Sequence, residues 1–481
     1  MPEQERHTRR PRTPGSVHEL LKRTLGRALL GLSGGLLLLG ASTASGSEFA
    51  EAAPTRLSEF IRIDTENPPG NESRGVAFFA AILDEAGIPY ETAESAPGRG
   101  NLWARLEGGP EPALVLLNHM DVVPADPRYW SFEPYSGAIR DGHVYGRGAL
   151  DMKGLGVAQF QAFLALAASG KRLNRDVIFV ATADEEAGGA FGAGWLVENR
   201  PEIFEGVGYL LNEGGGGTTI GADTVFNVEL TQKVPLWLKL VAHGNPGHGS
   251  TPQVETSVTR ALRAGNRLAE TRFPARVIPA VQAMFEGMAP YQDEALRGRY
   301  ADIANAVKDP EFMTYLQLTN PGQHALLRNT CSLTGMEGSN KINVVPTEAS
   351  IELDCRLLPD QDPDRFIEEL AVIINDPNVT IEKIMGFTPA VSSSDTPLYR
   401  LIGAVYESYF PGAVVVPGVA TGFTDSHFFR DLGIVSYGFG PFVVPASDRR
   451  GVHGNDERIS VENMVRGTEL LIELLDRFTT R

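Results

Sequence analysis

Cysteine is almost absent from this chain, with only Cys331 and Cys355 in 481 residues. So sparse a supply excludes a disulfide-built scaffold and a thiolate metal site. Also lacking is any block rich in lysine and arginine, and the formal net charge is −17. A body this acidic repels phosphate backbones and anionic lipid, so neither nucleic acid nor an anionic membrane is expected as a partner. No long low-complexity run occurs either. What is present, 42% hydrophobic and 21% charged residues with 52 glycines, is the composition of a soluble globular protein. The length exceeds one ordinary core and points to two or three domains.

Residues 1–44 differ from the rest. Seven basic residues (Arg6, Arg9, Arg10, Arg12, Lys22, Arg23, Arg27) stand against three acidic ones (Glu3, Glu5, Glu19), and the apolar run from Ala28 to Ala41 leads into the small residues "STAS". A basic start, a short apolar stretch and small residues describe a secretory signal peptide ending near Ala44, and so an exported protein, periplasmic or secreted. The run is shorter than the roughly 20 residues of a spanning helix. An uncleaved anchor is the second reading, and membrane contact is expected only in that case. Without a leader of net +4 the remaining chain stands near −21.

From residue 48 to 233, short apolar runs such as "ALVLLNHMD", "DVIFVATADEE" and "GYLLNEGG" alternate with helical stretches such as "GLGVAQFQAFLALAASG". Such alternation predicts a largely parallel α/β sheet, whose ligand site lies at the carboxyl ends of its strands. Residues 234–388 read as strand, helix, two strands, helix, strand, the ferredoxin-like order. An extra stretch of mixed helical and loop signals, about Phe273 to Gln323, interrupts this second unit. The α/β pattern resumes over 389–481, so the second unit is expected to be inserted into the first, with a cleft between them. Cys331 and Cys355 flank the Asn340 to Pro346 connection. They would face one another if their strands pair directly and would be separated if another strand intervenes.

The chemistry-bearing residues end these runs. His119 and Asp121 stand two apart after an apolar strand, a spacing that suits a metal-binding imidazole oriented by a carboxylate. Asp151 in "GRGALDMKG" reads either as a helix N-cap or as a ligand. Asp184-Glu185-Glu186 ends a buried strand, and adjacent carboxylates there are costly unless a cation or a shared proton relieves them. One of them can bind metal while a neighbour serves as general base. "NEGG" supplies Glu213 and "GVHGNDERIS" supplies His453. Two histidines with aspartate and glutamate oxygens suit zinc, with Mn2+ or Co2+ as substitutes.

The segments "NHMDVVPAD", "GRGALDMKG", "ATADEEAGG", "NEGG", "HGNPGHGSTP", "KINVVPTEASIELDCRLLP" and "GVHGNDERIS" resemble, in order and spacing, those of the M20 metallopeptidases. The resemblance covers essentially everything after the leader. It implies two Zn2+ per chain, with His119 and Glu213 on one, Glu186 and His453 on the other, and Asp151 bridging through a cis peptide bond to Met152. It also implies that Asp121 orients His119, that Glu185 is the general base, and that His248 is an oxyanion donor presented across a homodimer formed by the inserted lid unit. Asn343 and Arg356 match positions that bind the substrate's carboxylate or backbone. Gly422, Thr424 and Asp425 match a pocket loop. The resemblance thus implies a carboxypeptidase-type exopeptidase acting on short peptides or N-acyl amino acids. An aminoacylase-like amidohydrolase or condensing enzyme is the alternative within that class. An inactive peptide- or metal-binding protein, the alternative outside it, would lack a ligand or the base.

Overall fold

The structure, a computed structural model, describes residues 46–480; the leader read over residues 1–44 lies outside them. Among the described residues, nine strands form the large sheet. Its path runs Tyr90–Glu94, Gly100–Leu106, Arg175–Thr182, Glu111–His119, Val207–Asn212, Val435–Gly438, Asp223–Gln232, Val414–Ala420, and Gly216–Ile220 pairs beside Asp223–Gln232. The heart is parallel: Glu111–His119 runs with both Arg175–Thr182 and Val207–Asn212, and Val207–Asn212 runs with Val435–Gly438. Antiparallel pairs lie toward the margins.

Both faces of the heart are covered, which explains the continuous apolar runs. Leu114, Leu116, Val177 and Phe179 join one core with Phe60, Phe79 and Phe160. Their neighbours Val115, Leu117, Ile178 and Val180 join another with Ala193, Leu196 and Phe429. This two-residue alternation is the pleat sorting side chains to opposite faces. The helix Lys153–Ala168 is buried over nearly its whole length because it lies between the sheet and the helices Gly46–Ile61 and Val461–Thr479. That position accounts for its apolar character all round.

Residues 234–386 carry a second, four-stranded sheet in the order Thr330–Glu337, Glu348–Leu357, Val234–His243, Val379–Gly386, every pair antiparallel. Helices Ser257–Glu270 and Pro363–Ile374 close its core, where Leu236, Leu238 and Leu240 meet Ala264, Leu268, Phe366 and Leu370. The strands of the two cysteines are direct neighbours, Cys331 lies opposite Cys355, and a disulfide joins them. With the two cysteines 24 positions apart, the crosslink should contribute about 3 kcal/mol by restricting the unfolded chain. Cys331→Ala/Cys355→Ala is therefore expected to lower the urea midpoint, and an unchanged midpoint would show that the bond adds no stability.

The interrupting stretch folds as short helices, among them Pro279–Met288, Glu294–Ala301, Pro310–Thr319 and Pro321–Ala325. Asp293, Asp309 and Asn320 cap three of them by accepting from backbone amides. Their shared core takes in Leu358 from beside the small sheet and Val419 from the edge of the large one. The buried Lys233, at the crossing between the sheets, anchors this stretch: its Nζ donates to the carbonyls of Ala325 and Arg328 and to Thr330 Oγ1.

Candidate metal centre and active site

His119 is the last residue of its strand, and its imidazole is fixed from behind. Nδ1 donates to the carbonyl oxygen of Asp121 at 2.9 Å and lies 3.4 Å from Asp121 Oδ1. In that tautomer Nε2 carries the free lone pair. Nε2 faces Asp151 Oδ1 at 3.3 Å, Glu213 Oε1 at 3.6 Å and Glu185 Oε2 at 4.0 Å. Across the cluster, His453 Nε2 lies 3.0 Å from Asp151 Oδ2 and 3.1 Å from Glu186 Oε2. The two oxygens of Asp151 therefore face different histidines. The helix that follows Asp151 starts without a side-chain cap, so the carboxylate serves the cluster and not the helix. The Asp151–Met152 peptide is cis.

The turn after the third strand of the sheet path sorts its three acids. Asp184, in the left-handed region at φ 71°, turns inward. Its carboxylate accepts from Arg99 at 2.7 Å, from Asn67 and from the Phe191 amide. Arg99 also meets the buried Glu72 at 2.8 Å. The other two acids face the cluster, because the backbone amides of Glu185 and Glu186 both donate to Asp121 at 3.2 Å. Asp121 thus holds His119 with one part and the acidic turn with another. Gly189 closes that turn at φ +72°, where a Cβ would fall 2.2 Å from Asp425 Oδ1. Glycine is required here both for the backbone and for the space.

Four carboxylates around two histidines hold more negative charge than the protein itself balances. Burial and the charge of Glu213 push the Glu185 carboxyl well above its ordinary range. Burial, against the hydrogen bond from His453, raises Glu186 to about 7. Hydrogen bonds to Asp151 and Glu186 raise His453 to about 10. Glu186 Oε1 is buried without a hydrogen-bond partner. His119 with Glu185 and Glu213, and His119 with Asp151 and Glu186, are groups positioned to hold a metal ion. Divalent cations fit this donor set: they accept imidazole and carboxylate together, cancel the excess charge and satisfy the unpaired oxygen.

Metal-free protein should show the imbalance directly. A group that holds its proton more tightly when folded stabilises the fold below its unfolded pKa and withdraws that support as pH rises through its folded value. For Glu186 this window runs from 4.5 to about 7, and for His453 from 6.5 to about 10. Asp121 and Asp151, lowered in the fold, act only in acid below that range. The thermal midpoint of chelated protein is expected to fall from pH 5 to 10 relative to metal-loaded protein. A constant difference between the two would refute this charge assignment.

The remaining residues singled out from the sequence are spread more widely. His248 and Asn343 come together on a small ribbon, where Gly247–His248 pairs with Val344–Val345 and the Gly249 amide donates to the Asn343 carbonyl. His248 Nδ1 accepts from the Ser250 amide, which leaves Nε2 as the donor. No hydrogen bond or ion pair among the described residues joins this ribbon to the acidic cluster. Arg356 pairs with Asp354 through Nε and one terminal nitrogen, lies 5.4 Å above the Phe423 ring, and keeps a buried second terminal nitrogen without a partner. Thr424 is tied to Gln232, and Gly422 faces open space. Asp425 is buried, accepts from Thr182, and adds its charge to that around Glu185. His243 ends a strand beside Glu348 and Thr380, a structural position.

Four supporting residues escaped the sequence reading: Asn67, Glu72, Arg99 and Glu457. Glu457 is fully buried. It accepts from the amides of Gly148, Leu150 and Asp151 and from Arg147, which also donates to the carbonyls of Gly451 and Gly454. It thereby ties the Asp151 loop to the His453 loop. Its only sequence signal is an acid four residues after His453.

Residues 115–477 match the family described as Peptidase family M20/M25/M40. An N-fatty-acyl-amino acid synthase/hydrolase of Xenopus tropicalis is 32% identical over 373 residues, which are 76% of this chain and 72% of that one. Human aminoacylase-1 is 27% identical over 445 residues, 90% of this chain and 97% of its own. Among solved structures, an M20 family metallo-carboxypeptidase from Sulfolobus solfataricus shares the fold with a TM-score of 0.68 at 20% identity, covering 88% of this chain and 98% of that one. The chain is thus a hydrolase belonging to the M20/M25/M40 peptidase family, whose members depend on metal.

Proposed function

We propose that the protein cleaves the amide bond of N-acyl amino acids, and of short peptides offering the same groups, with two zinc ions per chain. One observation carries the reading: Asp151 divides its oxygens between His119 and His453, with Glu213 beside the first and Glu186 beside the second. This division suits two cations sharing one carboxylate, and the nitrogen and oxygen donors suit zinc, with Mn2+ or Co2+ as substitutes. When bound, the cations polarise the amide carbonyl and make water more acidic.

Glu185 takes the proton of the attacking water and passes it to the departing nitrogen. Its burial and its place beside His119 Nε2 support that role. Asp121 keeps His119 in the tautomer that presents Nε2. Arg356, through its unpaired nitrogen, and Asn343 receive the substrate's carboxylate, with Gly422 and Thr424 on the neighbouring loop. His248 supplies an oxyanion donor to a second copy of the chain. The exposed apolar side chains of Val254, Ile342 and Val344 near its ribbon support contact between lid units in a homodimer. The leader-like residues 1–44 support export, with membrane contact only if they are retained.

Similarity to an N-fatty-acyl-amino acid synthase/hydrolase and to aminoacylase-1 supports an acyl group on the carbonyl side. Carboxypeptidase action is the same chemistry with an aminoacyl group in that place. The test is release of free amino acid from a panel of N-acyl amino acids and dipeptides. Activity restored by zinc after chelation supports the reading. Two bound metals with no substrate cleaved would reject the substrate class, and failure to bind two would reject the metal assignment.

A further inference from the structure

A cavity of about 180 Å3 opens beside the cluster, and two cluster carboxylates, Asp151 and Glu213, line it. Apart from these, carbon makes most of its wall. Leu155 and Phe442 belong to the main core, Leu150 and Val444 pack against that core, and Val452 is partly exposed. The ribbon Gly214–Gly216, with positive φ throughout, forms one side. A Cβ on Gly440 would lie 3.4 Å from the Gly216 Cα, so side chains on these glycines would narrow the space. Phe442 is held from behind, because its ring occupies the notch left by Gly467 on the helix Val461–Thr479. Arg449 is the cation of the lining, and it donates to the Gly217 carbonyl and to Thr218 Oγ1.

We infer that this cavity receives the carbonyl-side group of the substrate, and that it selects short apolar acyl chains of about six carbons. The inference rests on the proposed amide hydrolysis and adds to it which half of the substrate sits here. The scissile carbonyl has to reach the cluster, and Asp151 and Glu213 are shared between cluster and cavity. The amine half carries a carboxylate, which needs a free cation. Arg449 spends a terminal nitrogen on the neutral oxygens of Gly217 and Thr218, whereas Arg356, on the strand Glu348–Leu357, keeps a buried terminal nitrogen that no group among the described residues meets. The apolar half therefore takes the apolar wall. A cavity of roughly 150 Å3 accommodates a benzene ring, so this one buries about six carbons, and the rest of a longer chain has to lie outside it, where it gains little.

The experiment measures kcat/KM of the zinc-loaded protein on one amino acid acylated with acetyl, butanoyl, hexanoyl, octanoyl and palmitoyl groups. The expected gain is about fourfold per methylene up to hexanoyl, with none beyond. Phe442→Leu should move the break to octanoyl, and Val444→Phe should move it back toward butanoyl. A rate independent of chain length, or one still rising at palmitoyl, overturns the cavity assignment without touching the hydrolase reading. A break that stays in place in both variants overturns it equally. If wild-type protein cleaves none of the series, the N-acyl reading itself falls and takes this inference with it.

Discussion

Glu185→Gln is expected to lower kcat about a thousandfold while leaving metal content unchanged. The substitution keeps the shape of the side chain and the backbone amide that donates to Asp121 at 3.2 Å, so the turn carrying Glu186 stays in place. What it removes is the proton acceptor of the proposed mechanism. Burial and the Glu213 carboxylate push the Glu185 carboxyl up. Bound cations would pull it back down, and the balance would leave a group able to take a proton from water and release it to an amine. In the wild type kcat should therefore fall on the acid side as Glu185 becomes protonated, and the variant should lack that limb. Pre-steady-state and pH-rate measurements with metal analysis decide the matter. More than a tenth of wild-type kcat in a fully loaded variant would remove Glu185 from the base role.

Asp151→Ala should have the second large effect, and by a different route. Its carboxylate serves both halves of the cluster, 3.3 Å from His119 and 3.0 Å from His453. Loss of a group that merely supports a ligand typically weakens metal binding about 10- to 100-fold. In the proposed arrangement Asp151 would be shared by two cations and its loss should exceed that, so the variant is expected to purify with fewer than two metals per chain and without measurable turnover. Fold stability should respond differently. Removing one of four crowded carboxylates relieves repulsion, so chelated Asp151→Ala should lose less stability than chelated wild type as pH rises. Two tightly held metals in the variant would contradict the shared role.

Much of the site was legible because its residues lie at local boundaries. His119 ends an apolar strand of the parallel heart, Asp184 to Glu186 and Glu213 follow two others, and parallel strands deliver their ends to one edge. Asp151 was ambiguous in sequence because a helix N-cap has the same local pattern; only the distances to the two histidines separate the readings. The acidic triplet was legible as a cluster, but the withdrawal of Asp184 was not. It depends on Arg99 and Asn67, 85 and 117 residues away along the chain. Glu457, some 306 residues from the Asp151 amide it accepts from, was hidden for the same reason. The cysteines turned on strand order, which residue spacing leaves open. Two of the interrupting helices begin at Asp309-Pro310 and Asn320-Pro321, which are local features, whereas the packing of the group onto Leu358 and Val419 is not.

The insertion of one sheet within another also sets an order of assembly. Val207–Asn212 needs Val435–Gly438, and Asp223–Gln232 needs Val414–Ala420, while the whole four-stranded sheet lies between them in the chain. As the chain leaves the ribosome, the small sheet finds every partner within its own span. The large sheet has to wait for the last seventy or so residues. Distant pairings of this kind form late and leave strand edges open meanwhile. Once residues up to about 390 have emerged from the ribosome, the chain would therefore present a finished small unit, with its cysteines already opposed, attached to an open sheet whose cluster lacks His453.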